Sequence, residues 1–201
     1  MLDRFALPLL AAPHRAVARV FTRLGCTANG VTLAGAAVGL AAAPMIALGH
    51  FDVGLALFLA NRFLDGVDGV MARAAGPTDR GAFLDIVCDF LVYATIPLGF
   101  ALANPTLNAL PASALLASFM GTASTLLAFA AVAAKHSDTS PNYPNKGIYY
   151  LGGLAEGTET ILVFCLMCLA PQYFAVLAYA FAAVCLVTTL TRLIFGARSL
   201  S

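Results

Sequence analysis

Four aspartates stand close together in a chain that is otherwise strongly apolar, and their chemistry is the first thing to explain. Asp65 and Asp68 are three positions apart, and Asp85 and Asp89 are four positions apart. An ionised carboxylate at the centre of a membrane helix costs roughly 2.5–3.5 kcal/mol on insertion scales. Few cations lie nearby in the chain, so the compensating charge must come from elsewhere. Carboxylate oxygen is the preferred ligand of Mg²⁺ and Mn²⁺, and two such ions would balance the four carboxylates.

A carboxylate site that holds two divalent ions is typical of phosphoryl transfer, because paired ions can hold the attacking and leaving oxygens. Residue types alone leave two alternatives open. The aspartates could line a cation or proton pathway in a transporter, or they could belong to a structural ion-pair network. In the second case Arg62 is the only cation at depth.

Two glycines and an arginine adjoin the aspartates. Gly69 follows Asp68 directly, and Gly81 lies one turn before Asp85. Glycine weakens a helix, so we expect some group to approach the backbone closely at both positions. Arg73 lies at the rim, where a guanidinium can hold a diphosphate, and Ala72 leaves room beside it.

Composition places the chain in a membrane. Of its 201 residues, 61% are hydrophobic and 10% are charged, and the mean hydropathy is +0.88. Soluble domains carry about 25% charged residues. We therefore predict an all-α integral membrane protein with the lipid bilayer as its surroundings. The net charge of +1 provides no basic field for nucleic acid.

The apolar segments predict six transmembrane helices, because each reaches the ~20 residues that a bilayer core requires. They lie near residues 31–49, 53–73, 81–103, 110–134, 149–170 and 173–195. Residues 1–24 form a separate element in this prediction, and residues 25–201 form the transmembrane domain. Arg15, Arg19 and Arg23 repeat every four residues with apolar residues opposite them. This pattern predicts an amphipathic juxtamembrane helix on an anionic leaflet, or alternatively a merely solvated helix.

The basic residues predict the orientation of the spans. They cluster before the first span, in the second and fourth connections and at the carboxyl terminus, where Arg192 and Arg198 stand. By the positive-inside rule, both termini and the even-numbered connections are cytoplasmic.

This orientation places all four aspartates near the cytoplasmic surface. Asp65 and Asp68 share one face of the second span, and Asp85 and Asp89 share one face of the third. These two spans form an antiparallel hairpin in the prediction. At the helical rise, Asp68 lies about 8 Å and Asp85 about 6 Å from the ends of the hairpin helices, with their partners one turn deeper. The four side chains can therefore meet at matched depths.

The motif formed by these residues resembles the signature of the CDP-alcohol phosphatidyltransferase family. That signature reads D-x-x-D-G-x-x-A-R, a spacer, and then G-x-x-x-D-x-x-x-D. Its fixed positions are all present, as Asp65, Asp68, Gly69, Ala72, Arg73, Gly81, Asp85 and Asp89. The spacer is one residue shorter than is common, which affects the loop alone. The chain looks most similar to a small bacterial inner-membrane branch of this family.

The resemblance implies a reaction and a set of residue roles. The hydroxyl of a small alcohol would displace CMP from a CDP-alcohol such as CDP-diacylglycerol, with two Mg²⁺ or Mn²⁺ ions bound. The implied metal ligands are Asp65, Asp68, Asp85 and Asp89, and Asp89 is also the implied base. The implied nucleotide contacts are Asp68, Gly69, Ala72 and Arg73. The resemblance also implies a homodimer in the bacterial cytoplasmic membrane, with the active site on the cytoplasmic side. The acceptor stays open among glycerol 3-phosphate, inositol phosphate, serine and other small alcohols.

A further family element lies at the start of the first span. The family often carries P-N-x-x-T there, and this chain has Ala28-Asn29-Gly30-Val31-Thr32. Asn29 and Thr32 are thus candidates to line the nucleotide pocket. The alternative is helix capping by Thr27 or Asn29.

Other polar residues permit two interpretations each. Glu156 and Glu159 could hold the acceptor beside Tyr149 and Tyr150, or one glutamate could pair with Arg62. Lys135, His136 and Lys146 could bind a phosphorylated acceptor, or they could set the topology. Ser118, Thr122 and Thr125 share one face of the fourth span, where they could serve the site or equally bond between helices. Cys165 and Cys168 form a C-x-x-C without a second pair, so we interpret them as small buried hydrophobes.

Overall fold

The computed structural model describes residues 3–133 and 154–199, and that part of the chain contains helices but no strands. The α-helices are α1 (Asp3–Arg23), α2 (Ala28–Ala47), α3 (Phe51–Ala75), α4 (Asp79–Ala103), α5 (Pro105–Ala133), α6 (Gly157–Leu169) and α7 (Phe174–Ser199), and a short 3₁₀ turn (Pro171–Tyr173) precedes α7. The all-helical fold class is confirmed.

Within the described residues, four segments are long and apolar enough to cross a membrane. They are Ala28–Ala47, Asp79–Ala103, Pro105–Val132 and Pro171–Ser199. Helix α3 is 25 residues long but carries the charged residues of the candidate site. Helix α6 has 13 residues in the described range. The count of six spans therefore stays a prediction for α3 and α6.

Helix α2 lies between α3 and α4 and packs against both of them, whereas α3 and α4 pack little along each other. Close packing is possible because small residues face both neighbours. A Cβ added at Gly39 would lie 2.7 Å from Cγ of Asn61 on α3 and 2.8 Å from Cγ2 of Val92 on α4. The short connection between α3 and α4 is as predicted, but α2 packs between these two helices. Side chains of α3 and α4 still meet beside α2, as Arg62 and Asp89 do.

A buried aromatic cluster holds the helices together deeper than the aspartates. The Phe58 ring lies 5.5 Å from the Phe164 ring, and the Phe100 ring stacks 4.4 Å from the Phe174 ring. All four side chains are fully buried. Aromatic pairs of this kind contribute about 0.5–1.5 kcal/mol beyond the burial of their area. The cluster joins α3 to α6 and α4 to α7, so the helices that carry the site have a rigid base.

Helix α1 lies against α3. His14 and Ala18 of α1 are buried, and the His14 ring is 4.9 Å from the Phe63 ring. Gly66 makes this contact possible, because a Cβ there would collide with the His14 ring. The basic residues Arg15, Arg19 and Arg23 are exposed. A helix is thus present in the predicted segment, and its position at the membrane interface stays a prediction.

Several polar residues of α5 and α7 have identified hydrogen-bond partners. Arg192 is buried within α7, and its Nη1 donates to the Thr122 carbonyl oxygen at 3.2 Å, so its part in setting the orientation stays a prediction. The hydroxyls of Ser118, Thr122 and Thr125 donate to carbonyl oxygens of α5 itself, at 2.7–2.9 Å. Short hydroxyl side chains in an apolar helix reach the carbonyl one turn back more easily than a neighbouring helix.

Some predicted residues lie outside the described ranges. They are Lys135, His136, Lys146, Tyr149 and Tyr150. Within the described ranges, the cysteines are free thiols, and Cys168 is buried in the hydrophobic core. Its environment agrees with the interpretation of the C-x-x-C as apolar packing.

Candidate active site

A short connection returns the chain from α3 to α4. Gly76 adopts a positive φ of 92° just after α3 ends, a conformation that favours glycine. The Thr78 hydroxyl then caps α4 by accepting from the Gly81 amide at 3.1 Å. The tight return places Asp68 and Asp85 at the same end of the molecule.

Three of the four predicted ligands lie together. Asp65, Asp68 and Asp85 each place a carboxylate oxygen so that the three atoms lie within 4.8 Å of one another. Asp68 is 4% exposed, and its Oδ2 is buried without a hydrogen-bond partner. A buried acceptor without a partner is costly, and a hard divalent cation satisfies clustered carboxylate oxygens. The residues of this group therefore fit a divalent ion.

The fourth aspartate pairs with an arginine beside this group. Arg62 Nη2 lies 2.8 Å from Asp89 Oδ1, and Arg62 Nη1 lies 3.9 Å from Asp65 Oδ2. The alternative in which Glu156 or Glu159 pairs with Arg62 is therefore wrong. Arg62 is three residues before Asp65 and so shares its helix face, which brings the guanidinium to the aspartates first.

Three helices hold the Arg62 guanidinium in place. Its Nε donates to Asn61 Oδ1 at 2.8 Å, and its Nη1 donates to the Tyr93 hydroxyl of α4 at 3.2 Å. Its Cζ lies 4.8 Å from the centre of the Tyr93 ring. Asn61 in turn donates to the Gly35 carbonyl oxygen of α2 at 2.9 Å. Sequence reasoning missed both Asn61 and Tyr93, although Tyr93 stands four residues after Asp89 and thus on the same face.

The predicted nucleotide residues of α2 lie next to the aspartates. Thr27 caps α2 by accepting from the Gly30 amide at 3.1 Å, so the cap belongs to Thr27 rather than to Asn29. Asn29 Oδ1 would lie 3.1 Å from a Cβ built at Gly81. Thr32 stands beside the Asp68 carboxylate, and its hydroxyl donates to the Ala28 carbonyl oxygen at 3.1 Å.

The last turns of α3 form the mouth of the site. Gly69 and Ala72 are half-buried, and Arg73 is exposed. The Arg73 guanidinium lies over Gly69, because a Cβ there would be 3.3 Å from Arg73 Nη1. The approach expected at Gly69 is therefore made by Arg73, and the approach expected at Gly81 is made by Asn29.

The two glutamates lie where α6 begins. Both Glu156 and Glu159 are half-buried, and the segment before them is fixed by a bond of 2.9 Å from the Ala155 amide to the Thr188 hydroxyl of α7. Helix α6 packs against α3 and also touches α1. Their contact with an acceptor stays a prediction.

Comparison with known proteins shows the family to which the chain belongs. Residues 26–191 match the family model of the CDP-alcohol phosphatidyltransferases. The chain belongs to this family. Its sequence is 50% identical to the inner membrane protein YnjF of Escherichia coli (strain K12), over 98% of this chain and 95% of that protein.

Other relatives are more distant. The archaetidylinositol phosphate synthase of Pyrococcus horikoshii is 32% identical over 48% of this chain and 52% of its own length. The phosphatidylinositol phosphate synthase of Mycobacterium tuberculosis with CDP-DAG bound superposes with a TM-score of 0.74 at 21% identity, over 91% of this chain and 92% of that one. Its complex with manganese and citrate gives 0.74 at 22% identity, over 91% and 88%. The chain thus has their membrane fold, and neither family nor fold supports the transporter alternative.

Proposed function

We propose that this protein transfers a phosphatidyl or similar substituted phosphate group from a CDP-alcohol to a small alcohol and releases CMP. The donor is CDP-diacylglycerol, and the reaction belongs to phospholipid synthesis at the cytoplasmic face of a bacterial inner membrane. The observation that carries the proposal is that carboxylate oxygens of Asp65, Asp68 and Asp85 lie within 4.8 Å of one another. Asp68 Oδ2 is buried there without a hydrogen-bond partner.

The carboxylates would hold two divalent ions, Mg²⁺ or Mn²⁺. Asp65, Asp68 and Asp85 are the proposed ligands on the evidence of their proximity. Asp89 is the proposed fourth ligand. When bound, such ions neutralise phosphate charge and hold the attacking and leaving oxygens. The preference of carboxylates for hard cations suits either ion.

The residues at the mouth would bind the cytidine diphosphate. Arg73 offers a guanidinium that can pair with phosphate oxygens in two-point fashion. Gly69 and Ala72 have small side chains, which leave space on this face of α3 for a phosphate beside Asp68. Asn29 and Thr32 would line the same pocket from α2.

Asp89 would act as the base. Arg62 engages its Oδ1, so Oδ2 would accept the proton from the acceptor hydroxyl. The acceptor oxygen then forms a bond to the phosphorus nearer the donor's alcohol, while the bond from that phosphorus to the CMP oxygen breaks. Attack and departure are in line, as is general for phosphoryl transfer.

The names of two relatives suggest which acceptors to test first. They are synthases of inositol phosphate lipids, so inositol phosphate leads a panel that also contains glycerol 3-phosphate and serine. Glu156 and Glu159, at the start of the helix that packs against α3, would contact the acceptor. A lipid donor suits the site because its diphosphate can reach the aspartates while its acyl chains stay in the bilayer. We also propose that the protein is a homodimer, as membership of the family implies.

The experiment measures CMP release from labelled CDP-diacylglycerol by the purified protein with each acceptor, in Mg²⁺, in Mn²⁺ and in EDTA. We expect release with at least one acceptor, loss of release in EDTA and loss in Asp68→Asn. The matched control is Asp79→Asn, an exposed carboxylate in the first turn of α4, which should retain activity. Release that persists in EDTA, or Asp68→Asn with full activity, would refute the proposed site.

A further inference from the structure

Arg62 brings a positive charge inside the carboxylate site. Its guanidinium is within 2.8 Å of Asp89 and 3.9 Å of Asp65, and its side chain is only 8% exposed. Asp65 also belongs to the group of three aspartates described above, and Asp89 is the proposed fourth ligand. The same aspartates that would hold divalent ions are therefore already in contact with a cation supplied by the chain.

This cation cannot easily leave or lose its charge. A guanidinium stays protonated at any pH that a protein tolerates. Hydrogen bonds to Asn61 and Tyr93 and the face of the Tyr93 ring fix it from two sides. Asn61 is itself fixed to α2 through the Gly35 carbonyl oxygen. Separating Arg62 from Asp89 would leave a buried charge without its partner, which is costly.

We infer that Arg62 competes with a divalent ion for Asp89 and thereby makes the two metal positions unequal in affinity. This inference rests on the proposed function, because it concerns the same metal site. The Asp65–Asp68–Asp85 group provides the tighter position, and the position that uses Asp89 is the weaker one. Arg62 is a positioning residue here, since it acts through Asp89.

The difference in affinity between the two metal positions would make binding of the second ion depend on the CDP-alcohol donor. A fixed positive charge a few ångströms away repels a second cation and weakens its binding by about tenfold or more. The two negative charges of a diphosphate offset that repulsion. The weaker position would therefore fill when the CDP-alcohol arrives, and the tighter position would be filled beforehand.

The test is a Mn²⁺ titration of the purified full-length protein without nucleotide, followed by electron paramagnetic resonance of free and bound Mn²⁺. We expect two classes of site in the wild type that differ at least about tenfold in affinity. Arg62→Gln removes the charge, so the weaker site should tighten about tenfold. The tighter site should change less, because Arg62 lies farther from Asp65 (3.9 Å) than from Asp89 (2.8 Å). Arg62→Lys keeps the charge and should keep the wild-type difference.

A second variant guards against a folding defect in Arg62→Gln. Tyr93→Phe removes the hydroxyl that accepts from Arg62 and keeps the aromatic ring. The guanidinium is then held less firmly beside Asp89, so Mn²⁺ should bind the weaker site about threefold more tightly. Equal affinities in the wild type would overturn the inference. So would a weaker site that is unchanged or loosened in both variants. If no Mn²⁺ binds, the proposed function falls together with this inference, whereas equal sites refute the inference alone.

Discussion

At the scale of single residues, the site is a set of carboxylates in different surroundings. Asp68 is buried, Asp65 is half-buried, and Asp85 is exposed at the mouth. Asp89 differs from these three because a guanidinium occupies its Oδ1. Identical side chains therefore have different surroundings here, and the base is proposed to be Asp89, the one that pairs with Arg62.

Asp89→Asn tests that role. Asparagine keeps the size of the side chain but cannot accept the acceptor's proton. We expect kcat for CMP release to fall by about 10²–10⁴-fold, the usual contribution of a general base. Asp79→Asn serves as the control, since its carboxylate lies on the same helix but is exposed. A variant of Asp89 with more than a third of the wild-type kcat would contradict the assignment.

Gly69 tests the mouth of the site. A Cβ at this position would lie 3.3 Å from Arg73 Nη1, so Gly69→Val should displace the Arg73 guanidinium. We expect a higher KM for the CDP-alcohol and a smaller change in kcat, because ground-state and transition-state contacts to the diphosphate are lost alike. Steady-state kinetics over a range of donor concentrations would show this. A variant with unchanged KM would show that Arg73 does not hold the diphosphate.

At the scale of helices, α2 decides how close α3 and α4 come. Gly39 lies against Asn61 and Val92, with no room for a methyl group. Asn61 also accepts a hydrogen bond from Arg62. The position of the guanidinium therefore depends on how α2 packs against Asn61. The candidate site is thus supported by a helix that contributes none of its aspartates.

Gly39→Ala should destabilise the protein by about 1–3 kcal/mol, the usual cost of overpacking a filled interior. Thermal unfolding in detergent would measure it as a lower midpoint. Gly157→Ala is the control, because a Cβ there meets nothing within 4 Å. Equal midpoints for the two variants would mean that the α2 contact is loose.

Helix α1 should give the protein a dependence on pH. Burial, followed by the nearby charge of Arg73, lowers the pKa of His14 below its ordinary value of 6.5. Below pH 6.5 the unfolded chain therefore binds more protons than the folded one. The stability that neutral His14 contributes is complete above pH 6.5 and is lost as the pH falls through the lower pKa of the folded protein. His14→Phe keeps a ring against Phe63 and should remove the loss. Unfolding midpoints between pH 5.5 and 7.5 that decline equally in both proteins would contradict this.

At the scale of the whole molecule, the helices form one membrane fold with the site at one end. The α1–α2 turn and the α3–α4 connection lie at that end, and His50 lies at the other end of α2. The basic residues beside the site, among them Arg15, Arg73 and Arg80, predict that this end faces the cytoplasm.

Thiol labelling tests this orientation. Cys26 is exposed in the α1–α2 turn. A maleimide that cannot cross the inner membrane should leave it unlabelled in intact cells and label it in inverted vesicles. His50→Cys in a Cys26→Ser background should show the opposite pattern, because His50 is exposed and makes no side-chain cap. Labelling of Cys26 in intact cells would reverse the proposed topology.

The sequence by itself determined the helical membrane class, the family signature and the faces on which the aspartates stand. Helical periodicity is local, so residues three or four apart share a face whatever the helix packs against. The sequence did not determine the partner of Asp89, the roles of Asn61 and Tyr93 or the burial of Arg192. These depend on how each helix is rotated and how near it approaches the next, and contacts such as those of Gly39 set both. Only the tertiary structure decided that Arg62 would pair with Asp89, because that contact joins α3 to α4 and depends on how the two helices are rotated.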